Sequence, residues 1–229
     1  YTINSSLKPV STCDKLGNGI NAGICPDEAF LLSRGFVEKH IRKNNSYLDA
    51  LDRDVLVFDG AMGTTLQSQN LSDDDFGNPE WVGCNDVLVL TRPDAVLSVH
   101  RAFLEAGADV IETDSFRSNR LTLTDYGLQE RAFELNQAAA ALARQAADEF
   151  STNERPRFVA GAIGPSGKLI STDDLEMSDT TFEELKNVFC EQAAGLIRGG
   201  VDLLLIETSN DILEVKAAIN GIKQAFIDE

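Results

Sequence analysis

From residue 54 onward the apolar positions of this chain follow two alternating rhythms. Short, uninterrupted runs rich in Val, Ile and Leu give way to longer stretches with apolar residues three and four apart. The first rhythm is that of a strand buried on both faces, the second that of an amphipathic helix. Strands are predicted at residues 55–58, 109–112, 157–163 and 201–206, and helices at 93–105, 129–150, 181–198 and 211–227. The punctuation agrees with this division. Pro93 opens the first of these helices, where a missing N–H costs nothing, and Gly107 closes it. Thr180 or Thr181, followed by Glu183 and Glu184, has the form of a capping box, and Asp211 that of an N-cap.

Strand–helix alternation of this kind implies a parallel sheet with right-handed crossovers, hence an α/β fold. A doubly wound open sheet and part of a (β/α)8 barrel both satisfy the pattern. In either architecture ligands bind at the C-terminal ends of the strands. Residues 1–50 stand apart: 1–23 are rich in Ser, Asn and Gly, and 27–43 have the spacing of a short amphipathic helix. The expected organisation is an N-terminal extension over 1–50 and an α/β body over 51–229.

Charge and composition narrow the function. With 43% hydrophobic and 25% charged residues the chain has the make-up of a globular domain. Its net charge of −17 opposes binding to nucleic acid or to an anionic membrane surface. No apolar run approaches the roughly 20 residues that span a bilayer, and the first residues lack a signal-peptide pattern, so a cytoplasmic setting is expected. Cys13, Cys25, Cys84 and Cys190 are scattered, with no Cys-x-x-Cys pair and no His at a zinc-ligand interval. They are expected to be free thiols, Cys190 a small core residue.

The candidate chemistry sits where strands end. The run 55–58 stops at Asp59, and two glycines then bracket Ala61 and Met62, so the backbone N–H groups of Gly60, Ala61, Met62 and Gly63 can face a ligand. The bland role of Asp59 is to cap that turn. The spacing is neither Gly-x-Gly-x-x-Gly nor a P-loop, and no helix pattern follows the turn directly. Glu112 and Glu207 close two later strands in the same three letters, Ile-Glu-Thr. Burying a carboxylate without a partner is costly, so each either pairs with a neighbouring arginine, such as Arg92 or Arg120, or serves a ligand. Clustered carboxylates beside N–H donors suit a zwitterionic amino acid. Asn85 and the loop 161–168 are weaker candidates, and His100 is expected to be a packed or surface residue.

Four segments then carry a family resemblance: VLVFDGAMGTTLQ, GCNDVLVLTRPDAVLSVHRAFLEAGADVIETDSF, FVAGAIGPSGKL and GGVDLLLIETSNDILEVKAAI. In order and spacing they resemble the homocysteine S-methyltransferase modules of cobalamin-dependent methionine synthases, over about residues 54–225. The resemblance implies the first four βα units of a (β/α)8 TIM-type barrel. It implies homocysteine as ligand, its amino group held by Asp59 and Glu207 and its carboxylate by the Gly60–Gly63 backbone. It further implies zinc to bind the thiolate and cobalamin to carry the methyl group, with the remaining half-barrel and the folate and cobalamin modules of a parent protein as partners.

Two departures accompany it. Arg117 stands where these modules commonly have glycine, and Ile170-Ser171-Thr172-Asp173 replaces a Pro-Thr-Leu-Gly pattern. The family's zinc is held by cysteines on later strands, positions that none of the four cysteines here occupies. The expectation is therefore a methyltransferase module that is inactive as this chain alone. A non-catalytic homocysteine-binding or self-pairing half-barrel is the alternative, and a magnesium–phosphate enzyme a distant third.

Overall fold

The computed structural model describes residues 45–171 and 179–229. The expected helix at 27–43 and most of the acidic loop after residue 171 lie outside them. Helices α1 (Asn45–Arg53), α2 (Met62–Gln67), α3 (Leu88–Thr91) and α4 (Pro93–Ala106) lead into strand β1 (Val110–Glu112). Then come α5 (Arg120–Leu123), α6 (Ala132–Phe150), β2 (Phe158–Ile163), α7 (Phe182–Gly199), β3 (Leu203–Ile206) and α8 (Ile212–Asp228). The long helices end as expected. Gly107 at φ 113° stops α4, Thr181 and Glu184 form a capping box on α7, and the Asp211 carboxylate accepts the Leu213 N–H to start α8.

The strands form one parallel sheet in the order β1-β2-β3. The expected first strand is corrected. Residues 55–58 make no continuous ladder; Phe58 alone bridges to Val110, and only hydrogen bonds at Val57 and Asp59 fasten the segment to β1. It lies at the sheet margin, so Val55 is 89% and Val57 55% exposed, against the burial expected from their apolar character.

One device recurs at the strand starts. The Asp109 carboxylate accepts the Val57 N–H at 3.1 Å, and Asp202 accepts the Val159 N–H at 2.8 Å. Each acid enters its strand directly after a helix and reaches sideways, Asp109 to the 55–58 segment and Asp202 to β2. Arginines neutralise both: Arg155 and Arg157 at Asp109, Arg144 at Asp202.

Helices α4 and α6 cover one face of the sheet through Leu104, Ile111, Ala143, Ala147 and Val159. The other face gathers Val110, Phe158, Ala160, Leu203 and Leu205 under α1, whose Tyr47 ring meets Phe158 edge-on at 5.3 Å. Helices α7 and α8 press together at Gly221, where a Cβ would lie 2.4 Å from the Lys186 carbonyl oxygen. Gly221→Ala is expected to cost about 1–3 kcal/mol, because backbone cannot yield as a side-chain tip can. Urea denaturation checks this through a lower midpoint at unchanged slope. An unaltered midpoint would show that the helices part freely.

Candidate functional site

At the C-terminal end of the sheet an open cleft of about 590 Å³ is lined by Asp59, the turn Gly60–Gly63, Glu112 and Glu207. The three acids and the turn named from the sequence thus share one site. The turn itself is corrected: it runs straight into α2, with Ala61 as N-cap, so the N–H groups of Met62 and Gly63 belong to the first turn of a helix. Such groups have no acceptor within the helix and carry the positive end of its dipole. Gly60 lets the turn lie against the Phe103 ring, 3.2 Å from where a Cβ would stand.

Asp59 has a structural duty as well as a chemical one. Both its oxygens accept the Glu112 N–H, at 3.1 and 3.2 Å, which joins the first segment to the end of β1. Burial pushes its carboxyl up to about 7, the Glu112 N–H pulls it down, and the charges of Glu112 and Glu207 raise it again. Burial also raises Glu112, with the Glu207 charge and a hydrogen bond between the two carboxyls adding to it. Neither of the arginines considered pairs with Glu112 or Glu207. Arg92 pairs with Asp75 and Asp94, and Arg120 with Glu130 and Glu191. The cation that would relieve these acids is therefore not supplied by either of them.

The cleft extends past the acids to Cys84, Asn85, Asp86, Asp114, Phe116 and Arg117. Asn85 stands against the turn, its amide 3.3 Å from where a Gly63 Cβ would be. Asp86 was missed in the sequence because it belongs to a 3-10 turn rather than to a strand end. Its Oδ1 accepts the Arg117 N–H and the Ser118 hydroxyl. Burial raises Asp86, and burial together with Asp86 raises Asp114 well above the usual carboxylate range. The loop after β1 is braced against the loop after β2. Gly164 donates its N–H to Phe116, Ser115 bonds to the Ala162 carbonyl, and Gln192 of α7 reaches the Ser115 carbonyl. The Arg117 side chain, the departure noted in the sequence, lies 3.6 Å from Asp125.

The remaining candidates stay outside the chemistry. His100 is buried with neither ring nitrogen bonded, and burial lowers it to about 4, so it is a neutral packed residue. Cys190 is half-buried beside the α7–α8 core. Cys84 lines the cleft, but burial and then Asp86 push its thiol up to about 12. In the free chain it is therefore a neutral thiol and not a thiolate nucleophile. Among the described residues no three His, Cys, Asp or Glu side chains are placed to hold a metal ion. Nor, among them, is any helix long and apolar enough to cross a membrane.

The sequence comparisons agree on one family. A family model described as homocysteine S-methyltransferase matches residues 56–228. The chain is 40% identical over 189 residues to the methionine synthase of Mycobacterium tuberculosis (strain ATCC 25618 / H37Rv), covering 82% of this chain and 15% of that protein. With the methionine synthase of Mycobacterium leprae (strain TN) it shares 40% identity over 179 residues, 78% of this chain and 14% of that one. The chain thus spans under a fifth of these relatives' length. Its fold is similar to the metallated form of the homocysteine methyltransferase MmuM from Escherichia coli, at a TM-score of 0.61 and 24% identity over 77% of this chain and 62% of that one. The oxidised form of MmuM gives a TM-score of 0.62. The chain belongs to the homocysteine S-methyltransferase family.

Proposed function

We propose that this chain binds the amino-acid end of homocysteine for methyl transfer within a longer methionine synthase. The carrying observation is the convergence of Asp59, Glu112 and Glu207 beside the N–H groups of Gly60–Gly63. An ammonium group fits the acids and a carboxylate fits the helix start, which are the two charged ends of a free amino acid. The raised carboxyls of Asp59 and Glu112 support the reading, since burial first, and the neighbouring acid charges after it, raise them with no counter-cation to oppose it. The aliphatic arm and thiol then extend away from this polar end. Calorimetric titration of the chain with homocysteine and with N-acetylhomocysteine tests the reading. Binding of the first and not of the second is expected. Equal affinity for both would remove the acids from the site.

The pH dependence follows from Asp59. An ammonium group favours its carboxylate form, so binding competes with a proton below pH 7. Affinity is expected to fall toward tenfold per pH unit below about 7 and to level off above it. Stability of the free chain runs the other way. The folded state holds this proton more tightly than the unfolded one, so its stabilisation is complete below 3.8 and is lost as pH rises through about 7. Affinity that is flat between about pH 5.5 and 8 would contradict the assignment.

We further propose that the four parallel segments are four of the eight strands of a (β/α)8 barrel. The exposed Val55 and Val57 and the incompletely buried β3 support this, as apolar residues that further strands would cover. The zinc implied by the family does not fit the described residues, which bring no three His, Cys, Asp or Glu side chains together and place a single thiol in the cleft, so no step is assigned to it. Methyl transfer, whether from methylcobalamin or another donor, is assigned to the longer protein. The chain alone is expected to form no methionine from homocysteine and methylcobalamin. Turnover would overturn that assignment.

A further inference from the structure

Glu214 stands in the first turn of α8 and is only 2% exposed, yet it lies outside the cleft and outside the chemistry above. Its carboxylate is shared between two loops. Oε1 accepts the Ser166 N–H at 2.8 Å and the Ser166 hydroxyl at 2.5 Å, from the loop after β2. Oε2 accepts the Ser209 hydroxyl at 2.7 Å, from the turn after β3. Asp211 ties the first of these loops a second time, accepting the Ser171 N–H at 2.9 Å. A buried acid with three donors from two strand ends is a clamp.

What the clamp holds is unusual. Thr208, between Glu207 and Ser209, has φ 57°, in the left-handed region that a β-branched residue avoids. Such a conformation persists only when both flanks are fixed. On one flank the Glu207 N–H donates to the Ile163 carbonyl at 3.1 Å, and on the other Ser209 is held by Glu214. The direction in which Glu207 leaves the backbone therefore depends on a strained turn pinned from outside the site.

We propose that Glu214 is a positioning residue: by clamping Ser209 to Ser166 it keeps Thr208 left-handed and aims Glu207 at Glu112 and the amino-group side of the cleft. The identity of the ligand rests on the function proposed above; the clamp itself does not. Glu214→Gln can still accept from Ser166 while its amide donates to the Ser209 hydroxyl, so the loops stay joined. Glu214→Ala frees both. Ser209→Ala cuts the Oε2 bond, together with a long 3.4 Å contact to the Asp211 carbonyl, leaves the Ser166 bonds to Glu214 intact, and serves if Glu214→Ala fails to fold.

Two readouts on the same chain separate the questions: calorimetric homocysteine affinity, and titration of the Glu112 carboxyl carbon by NMR. Glu214→Ala or Ser209→Ala is expected to lower affinity by about 10- to 100-fold. Either variant should also move the Glu112 titration down, because the Glu207 charge beside it departs. Glu214→Gln is expected to stay within about threefold of the unaltered chain. Adding Thr208→Gly to Glu214→Ala should recover affinity, since glycine holds a positive φ without a clamp. A Glu112 titration unmoved in the Ala variants would overturn the clamp even if the unaltered chain binds homocysteine. Failure of the unaltered chain to bind homocysteine, with the Glu112 titration still moving, would sink the ligand and leave the clamp standing.

Discussion

Asp59→Asn is expected to lower homocysteine affinity by about 10- to 150-fold, the range for losing one hydrogen bond to a charged group. The substitution is isosteric and keeps an oxygen to accept the Glu112 N–H, so the join between residue 59 and β1 survives. What disappears is the negative charge toward the ammonium group. Measurement at about pH 8 gives the largest difference, because the Asp59 carboxyl of the unaltered chain, raised to about 7, is then mostly ionised. Calorimetry reads the affinity, and circular dichroism checks that the fold persists. A folded variant that binds as tightly as the unaltered chain would take Asp59 out of the site.

The second large effect concerns stability. Asp109→Ala is expected to destabilise the chain by about 3–5 kcal/mol, as removing one partner of a buried ion pair does. The Asp109 Oδ1 sits 2.8 Å from Arg157 Nη1, and Arg157 is itself buried, with the same nitrogen bonded to the Ala108 carbonyl. Without Asp109 the guanidinium stays in the interior with its charge uncompensated, and the Val57 N–H loses its acceptor. The first segment then loosens from β1, and Asp59 with it. Asp109→Asn keeps an acceptor but loses the charge and should fall between. Thermal unfolding would show Asp109→Ala lower by about 6–20 °C. A loss under about 1 kcal/mol would mean that water reaches Arg157.

The elements most legible in the sequence were those whose burial is intrinsic to them. β1, β2 and β3 and the helices α4, α6, α7 and α8 were visible through the spacing of their apolar residues, reinforced by terminal glycines on α4 and α7 and by N-caps on α7 and α8. Residues 55–58 look identical in composition to those strands, yet pairing depends on what lies alongside, and only Phe58 bridges. Short helices such as α2, α3 and α5 were invisible for a different reason. One or two turns are too short to be set by propensity, and tertiary contacts decide them. In the site, Asp59, Glu112 and Glu207 were legible because an apolar run that ends abruptly in an acid marks a strand end. Asp86 comes from a 3-10 turn and Glu214 from a helix start, where acids are ordinary. Their roles exist only through Ser118, Ser166 and Ser209, which the chain brings from 32, 48 and 5 residues away.

The central claim is that these acids exchange a proton for the ammonium group of an amino acid. Its most direct test is the number of protons released when homocysteine binds, read by calorimetry in buffers of different ionisation enthalpy. With Asp59 raised to about 7, release should approach one proton near pH 6 and fall toward zero near pH 8. Homocysteine binding with no proton released near pH 6 would contradict the account.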